Sequence, residues 1–216
     1  MSFPVSGLFP LGSRRLAPPP CDAEVEYLES TGTQFVDTGI APGQQVEVVL
    51  DASYDSSGTK SAIVCGTRSP QTTAGRFYVL GMDASYNAKS TFGSTNYQSA
   101  NSGVRRVVDF NTAEHKILWD GVVVASIANA TTVTSGATIF VFSSNGWQTP
   151  TAFAAKARVF SLRIFDTGAL VRDFVPVRVG TVGYLYDRAN PTGGPLGNGL
   201  YGSATSTPLV AGPDKT

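Results

Sequence analysis

Hydrolysis of a glycosidic bond needs two carboxyl groups facing each other across a groove, so paired acids are the first chemistry to seek in this chain. The acidic alternations are Glu24-Val25-Glu26 and Glu47 with Asp51. Glu24 and Glu26 fall on the strand face opposite Val25 and Tyr27, which directs them to solvent. His115 is the only histidine. Without a nucleophilic Ser or Cys motif beside it, neither a Ser-His-Asp nor a Cys-His site is expected. Cys21 follows Pro18-Pro19-Pro20 and Cys65 ends an apolar run, which reads as one thiol on an arm and one buried thiol. Asp51, Asp55, Asp83 and Asn87 offer oxygens, yet calcium wants several in one place, and they read as turn-forming residues. The chain is therefore expected to be no enzyme, with no catalytic residue, no metal site and no cofactor.

Binding chemistry is better represented. A sugar presents apolar ring faces rimmed by hydroxyls, so its site needs aromatic side chains beside amide donors. Two loop patches qualify: Tyr86, Asn87, Asn96 and Tyr97, and separately Asn145, Gly146, Trp147 and Gln148. A tryptophan in such a loop equally suits capping the end of the core, and both readings of Trp147 stand. Trp119, one residue before a turn, reads as packing.

The elements that must position these residues are short strands. The segment at 25–40, VEYLESTGTQFVDTGI, alternates as two strands around the Ser30-Thr31-Gly32-Thr33 turn, with Val25, Tyr27 and Phe35 inward and Gln34 and Asp37 outward. In EHKILWDGVVVAS, at 114–126, Asp120-Gly121 suits a two-residue type I′ hairpin turn. Residues 156–165 alternate strictly, with Ala157, Val159, Ser161, Arg163 and Phe165 on one face and Arg158, Phe160, Leu162 and Ile164 on the other. Residues 83–102 read as loops with one irregular strand. No amphipathic helix of useful length appears, so an all-β sandwich or barrel is expected.

Composition narrows the partners. At 216 residues the chain suits one large β-sandwich or two small domains. Its formal net charge of +0 offers no basic field to attract nucleic acid or an anionic membrane. No apolar run reaches the ~20 residues of a membrane span. The N-terminal residues lack the basic-then-apolar order of a secretory signal. This fits a virion protein assembled in the host cytoplasm, or a fragment excised from a larger secreted protein. A composition break divides a proline-rich arm, 1–22, from one globular domain, 23–216. In the arm Phe3, Val5, Leu8, Phe9 and Leu11 are the residues expected to order against a partner subunit.

Three passages, at 25–40, 114–126 and 157–189, together resemble the concanavalin-A-like (laminin-G-like) jelly-roll domains of bacteriophage head or tail proteins and of gut bacterial surface proteins. The resemblance implies a two-sheet antiparallel jelly-roll sandwich. Its terminal strands would lie close together, with the Val25 strand beside 159–165 or 174–178. Tyr27, Phe35, Phe160, Phe165, Phe174, Tyr184 and Tyr186 would then fill the space between the sheets. The expected function is a non-enzymatic virion surface module, a head decoration, fibre or tail-associated protein. Its arm would bind other virion subunits in a homo-oligomer or larger assembly, and host-surface glycans are its expected ligand. A carbohydrate-binding adhesion module of a bacterial surface protein is the alternative, and a glycoside hydrolase the third.

Overall fold

The computed structural model describes residues 20–43, 45–55, 61–69, 72–100, 103–128, 136–146 and 149–216. The arm residues Phe3, Val5, Leu8, Phe9 and Leu11, and the loop residues Trp147 and Gln148, lie outside the described residues.

The protein is all-β, with two sheets packed as a sandwich. The larger sheet runs in the order β1 (Ala23–Glu24), β15 (Ala169–Val179), β16 (Val182–Asp187), β18 (Leu209–Ala211), β2 (Leu28–Thr31), β14 (Lys156–Asp166), β4 (Val46–Tyr54), β9 (Arg106–Asn111), β10 (Lys116–Trp119) and β11 (Val122–Ser126), with β17 (Leu200–Tyr201) added to β16. The smaller sheet is β3 (Val36–Asp37), β12 (Phe140–Val141), β5 (Ile63–Arg68), β6 (Arg76–Met82), β7 (Ala88–Phe92) and β8 (Thr95–Ser99). Strand β13 (Ser144–Asn145) joins β5 in parallel; the other strand pairings of both sheets are antiparallel. Where loops with one irregular strand are expected, residues 88–99 form a regular hairpin, β7–β8. Asn96 and Gln98 are exposed on its outer face, whereas Ser90 and Thr91 are fully buried.

Two turns share one geometry. Asp120 (φ 51°) and Gly121 (φ 80°) both take the left-handed region that a type I′ turn requires, and Trp119 pairs with Val122 across them. Thr167 (φ 50°) and Gly168 (φ 80°) take the same geometry between β14 and β15, although a β-branched threonine does not favour it.

The segment at 25–40 is not a hairpin. Strand β2 pairs with β14 and β18 in the larger sheet, whereas β3 pairs with β12 in the smaller one. The turn between them carries the chain across the sandwich, and Gln34 makes it possible. Gln34 is fully buried, not outward. Its Oε1 accepts from the Thr31 amide at 2.9 Å and the Ser30 hydroxyl at 3.1 Å, while Nε2 donates to the Pro208 carbonyl at 3.0 Å. A backbone leaving one sheet for another strands its polar groups, and one amide side chain satisfies them.

The N-terminal strands do lie beside both expected neighbours. Strand β1 pairs with β15 at Arg178 and Val177, and β2 pairs with β14 along residues 156–159. The termini meet as well, because β18 pairs with β2. Together the pairings β14–β2, β2–β18, β18–β16, β16–β15 and β15–β14 close a circuit of five strands. Gly183 marks a close approach within it, since a Cβ there would fall 2.5 Å from Leu28 Cδ2.

The core is smaller-sheet aromatic against larger-sheet aromatic. Phe77 of β6 meets Phe110 of β9 at 4.9 Å between ring centres, with Phe92 of β7 6.0 Å from Phe110. Edge and tilted ring pairs of this kind add about 0.5–1.5 kcal/mol each beyond their buried area. Of the seven aromatics expected there, Phe174 reaches this core, and Tyr186 is buried in a second small cluster with Val175 and Val177. Tyr27, Phe35, Phe160, Phe165 and Tyr184 are only half-buried.

A bulge is the reason for Phe160 and Phe165. The β14–β4 register shifts between Val159 and Ser161, so Ala157, Val159, Leu162 and Ile164 face inward and the strict alternation fails. On the outer face Tyr27 then packs edge-on against Phe160 at 5.6 Å. Arg105 lies 3.7 Å above the Phe160 ring and makes a two-pronged bond to Asp51.

Candidate functional site

The outer face of the smaller sheet gathers polar and cationic side chains in a way the linear sequence does not display. In β5 and β6, Arg68 stands opposite Arg76 and Gly66 opposite Tyr78. In β6 and β7, Tyr78 stands opposite Thr91 and Gly81 opposite Lys89. In β7 and β8, Thr91 pairs with Asn96 and Lys89 with Gln98. Paired residues share a face, so Arg68, Arg76, Tyr78, Lys89, Thr91, Asn96 and Gln98 lie together, while Phe77, Phe92 and Ser90 face the core.

Tyr78 is the floor of this surface. It is 8% exposed and lies across Gly66, where a Cβ would come within 3.0 Å of Tyr78 Cδ1. Its hydroxyl bonds with Arg68 and Ser144, and burial still pushes the phenol above its usual range. Burial and the neighbouring Arg76 push Lys89 down, with Asp83 opposing them. Burial is also the main cause lowering Arg68, and Arg76 adds to it. Like charges held in a half-desolvated patch disfavour their own ionised forms.

The expected glycan residues divide around this surface. Asn96 belongs to it: its Oδ1 accepts from Thr91 Oγ1 at 2.9 Å, and its Nδ2 donates to the Ser94 carbonyl at 3.0 Å. Tyr97, one residue on, points to the other side and packs edge-on against Trp119 at 4.7 Å. The two cannot form one patch, because strand neighbours face opposite ways. Trp119 does pack as expected, with its indole N–H donating to Ser90 Oγ at 3.0 Å. Tyr86 is half-buried against the core. Asn87 is tied to Asp83, which accepts from the Ser85 and Asn87 amides and from Asn87 Nδ2. Desolvation opposes them, but those bonds hold the Asp83 carboxyl below its usual value. Asn145 donates to Thr138 Oγ1 at 3.0 Å from β13, on the far side of β5. Four strand spacings, roughly 19 Å, separate it from β8.

The acids resolve differently from their sequence pattern. Glu24 pairs with Arg188 and Asp51 with Arg105. A groove of about 340 Å³ on the larger sheet is lined in part by Glu29 and Asp55. Arg158 lies 2.6 Å from Glu29 and Lys156 2.8 Å from Asp55, so each acid is spent on a cation. Glu47 is the exception. Val49 stands opposite Asp109 and Glu47 opposite Asn111, which makes Glu47 and Asp109 diagonal neighbours on one face, about 7–8 Å apart at the backbone. Burial raises both carboxyls, Asp109 and Glu114 adding to Glu47, and Glu114 adding to Asp109.

A carboxyl raised in the folded state costs stability above its folded pKa, and that cost vanishes once pH falls below the unfolded value near ~4. Asp109→Asn is therefore expected to stabilise the fold at pH 7 by about 0.5–1 kcal/mol. Urea midpoints at pH 7 and pH 3.5 should show the gain at the first and none at the second. An equal gain at both would refute the electrostatic origin.

Cys21 and Cys65 are both free. Cys21 packs against the Val175–Val177–Tyr186 cluster rather than hanging on an arm. Cys65 is fully buried, which pushes its thiol up to about 12. No group of three or more His, Cys, Asp or Glu able to hold a metal ion occurs among the described residues.

Arg68, Arg76, Tyr78 and Lys89 were missed in the sequence. The available signal was Arg68 and Arg76 flanking the SPQTTAG loop, which a hairpin must bring face to face. In comparisons with known proteins, no family model matches the chain and no curated sequence matches it either.

Proposed function

We propose that this chain is a non-enzymatic binding module, a concanavalin-A-like jelly roll that presents the outer face of its smaller sheet to host-surface glycans and is carried on a virion by residues 1–22. The observation that carries the binding half is the surface of Asn96, Gln98, Arg76 and Lys89 over a floor of buried Tyr78 and Thr91. Amides and cations held on a sheet need little rearrangement to meet sugar hydroxyls, which lowers the entropy lost on binding.

The attachment half is supported by how the chain is held where the arm begins. Asp22 donates its amide to the Arg178 carbonyl at 2.9 Å and accepts from the Gly180 amide at 2.7 Å. This clamp fixes the chain at Asp22 beside the β15–β16 turn. Deleting residues 1–19 is expected to leave the melting temperature within about 2 °C, since a ΔΔG below ~0.5 kcal/mol moves a domain of this size by no more. The same deletion should abolish incorporation into particles in an assembly reaction. Full incorporation of the truncated chain would overturn the anchoring role, and glycan-array binding by it would then favour an adhesion module of a bacterial surface protein.

A second reading rests on Glu47 and Asp109. Two carboxyls with raised pKa on adjacent strands have the form of an acid and its partner in a glycoside hydrolase. Release of reducing sugar by the native chain, lost in Glu47→Gln and in Asp109→Asn, would establish it. No release from any polysaccharide tested removes it.

A further inference from the structure

We infer that the ligand of the smaller sheet is an anionic glycan, its carboxylate or sulfate groups received by Arg76 and Lys89. This rests on the glycan reading above and specifies its chemistry.

The first support is where the carboxylates are. Arg105, Arg158, Arg178, Arg188 and Lys156 each sit within 4 Å of an acid. Among the described residues, neither Arg76 nor Lys89 does, although the whole chain balances 16 cations with 16 anions. Asp83 is the acid that acts on Lys89, and its oxygens are already engaged by Ser85 and Asn87. A fold with enough acids to pair its cations has left these two on one face without one.

The second support is an unmet donor. Arg76 Nε is buried from solvent with no hydrogen-bond partner in the free fold, and an incoming anion meets it when the guanidinium turns outward. A buried N–H without an acceptor costs about 1–3 kcal/mol, so such groups in native folds call for an explanation. A planar carboxylate or a sulfate is the acceptor that a guanidinium fork fits best.

Spacing sets the size of the ligand. Arg76 lies level with Gly93, whose amide it receives, and Lys89 is four residues further along β7. The backbones of the two cations thus start roughly 13 Å apart along the sheet, and their long side chains bring the charges closer, so a ligand of about two to three sugar rings reaches both. The net charge of +0 also separates this site from a general polyanion binder, whose affinity comes from a field over the whole surface.

The test uses the full chain against immobilised polyuronate, sulfated dextran, neutral dextran and duplex DNA at two salt concentrations. Binding to the polyuronate, the sulfated dextran or both is expected, and which arm responds identifies carboxylate or sulfate as the group read. Arg76→Gln and Lys89→Gln should each weaken it at least tenfold at unchanged or higher melting temperature, while Arg163→Gln on the other sheet leaves it intact. Anionic binding that survives both substitutions overturns the inference, and so does DNA bound as tightly as the glycans. Binding to neutral dextran alone overturns the inference and leaves the glycan reading standing. Silence in every glycan arm overturns both.

Discussion

Gln34→Leu is expected to lower stability by about 3 kcal/mol, which for a domain of this size is roughly 6–12 °C in melting temperature. Leucine fills the same volume but strips the acceptor from the Thr31 amide and the Ser30 hydroxyl, and the donor from Pro208. Ser30 and Gln34 are both fully buried, so water cannot replace the bond between them. Gln34→Glu supplies the complementary measurement. It keeps the acceptors, loses the Nε2 donor to Pro208 and buries a charge, which raises the new carboxyl's pKa. Its stability should therefore be best at low pH, where that carboxyl is protonated, and fall as pH rises through the raised value. Urea midpoints between pH 4 and 8 check both variants. A Gln34→Leu midpoint within experimental error of the native one would show that the bridge between β2 and β3 is held by something else.

Gly66→Ala is the second large effect. A Cβ on Gly66 would press into the Phe77 carbonyl oxygen, far inside van der Waals contact, and lie 3.0 Å from Tyr78 Cα. Both atoms are backbone, so no side chain can swing aside, and β5 and β6 must separate. Overpacking of a rigid contact costs about 1–3 kcal/mol, and the upper end or more is expected here. Because Tyr78 lies on Gly66 and holds Arg68, the variant should also lose glycan binding when measured well below its melting temperature. Gly43→Ala is the control: nothing lies within 4 Å of its would-be Cβ, and its φ is not positive. Its change should stay within about 0.5 kcal/mol and lean towards stabilisation, since alanine restricts the unfolded chain. A Gly66→Ala protein as stable as the native one would mean that the two strands are less tightly apposed than the geometry requires.

These two positions show where the sequence could be read and where it could not. Gly66 is one apolar-run glycine among 23, and its close contact appears only once β6 is placed against β5. Gln34 sits in a stretch whose polar–apolar alternation points it outward, yet it is buried because the chain there changes sheets. Composition groups Asn96 with Tyr97, but they are adjacent on one strand and so belong to opposite faces. Glu47 was noted beside Asp51 in the sequence. Its actual neighbour is Asp109, 62 positions away, brought there by the β4–β9 ladder.

What the sequence determined by itself is local. Asp120-Gly121 turns as written, because both residues accept the left-handed φ that selects that geometry whatever surrounds it. Short β-prone runs without helical periodicity made the chain all-β for the same reason. The tertiary structure decided which face each residue shows and which acids and cations meet. One bulge at Val159–Ser161 reverses the faces of the remainder of β14, and a hairpin plus one further strand assembles Arg68, Arg76 and Lys89 into one surface. A turn is fixed by the torsions of the residues in it. A strand's face is fixed by pairings with residues far away along the chain, and those exist only after the sheets have closed.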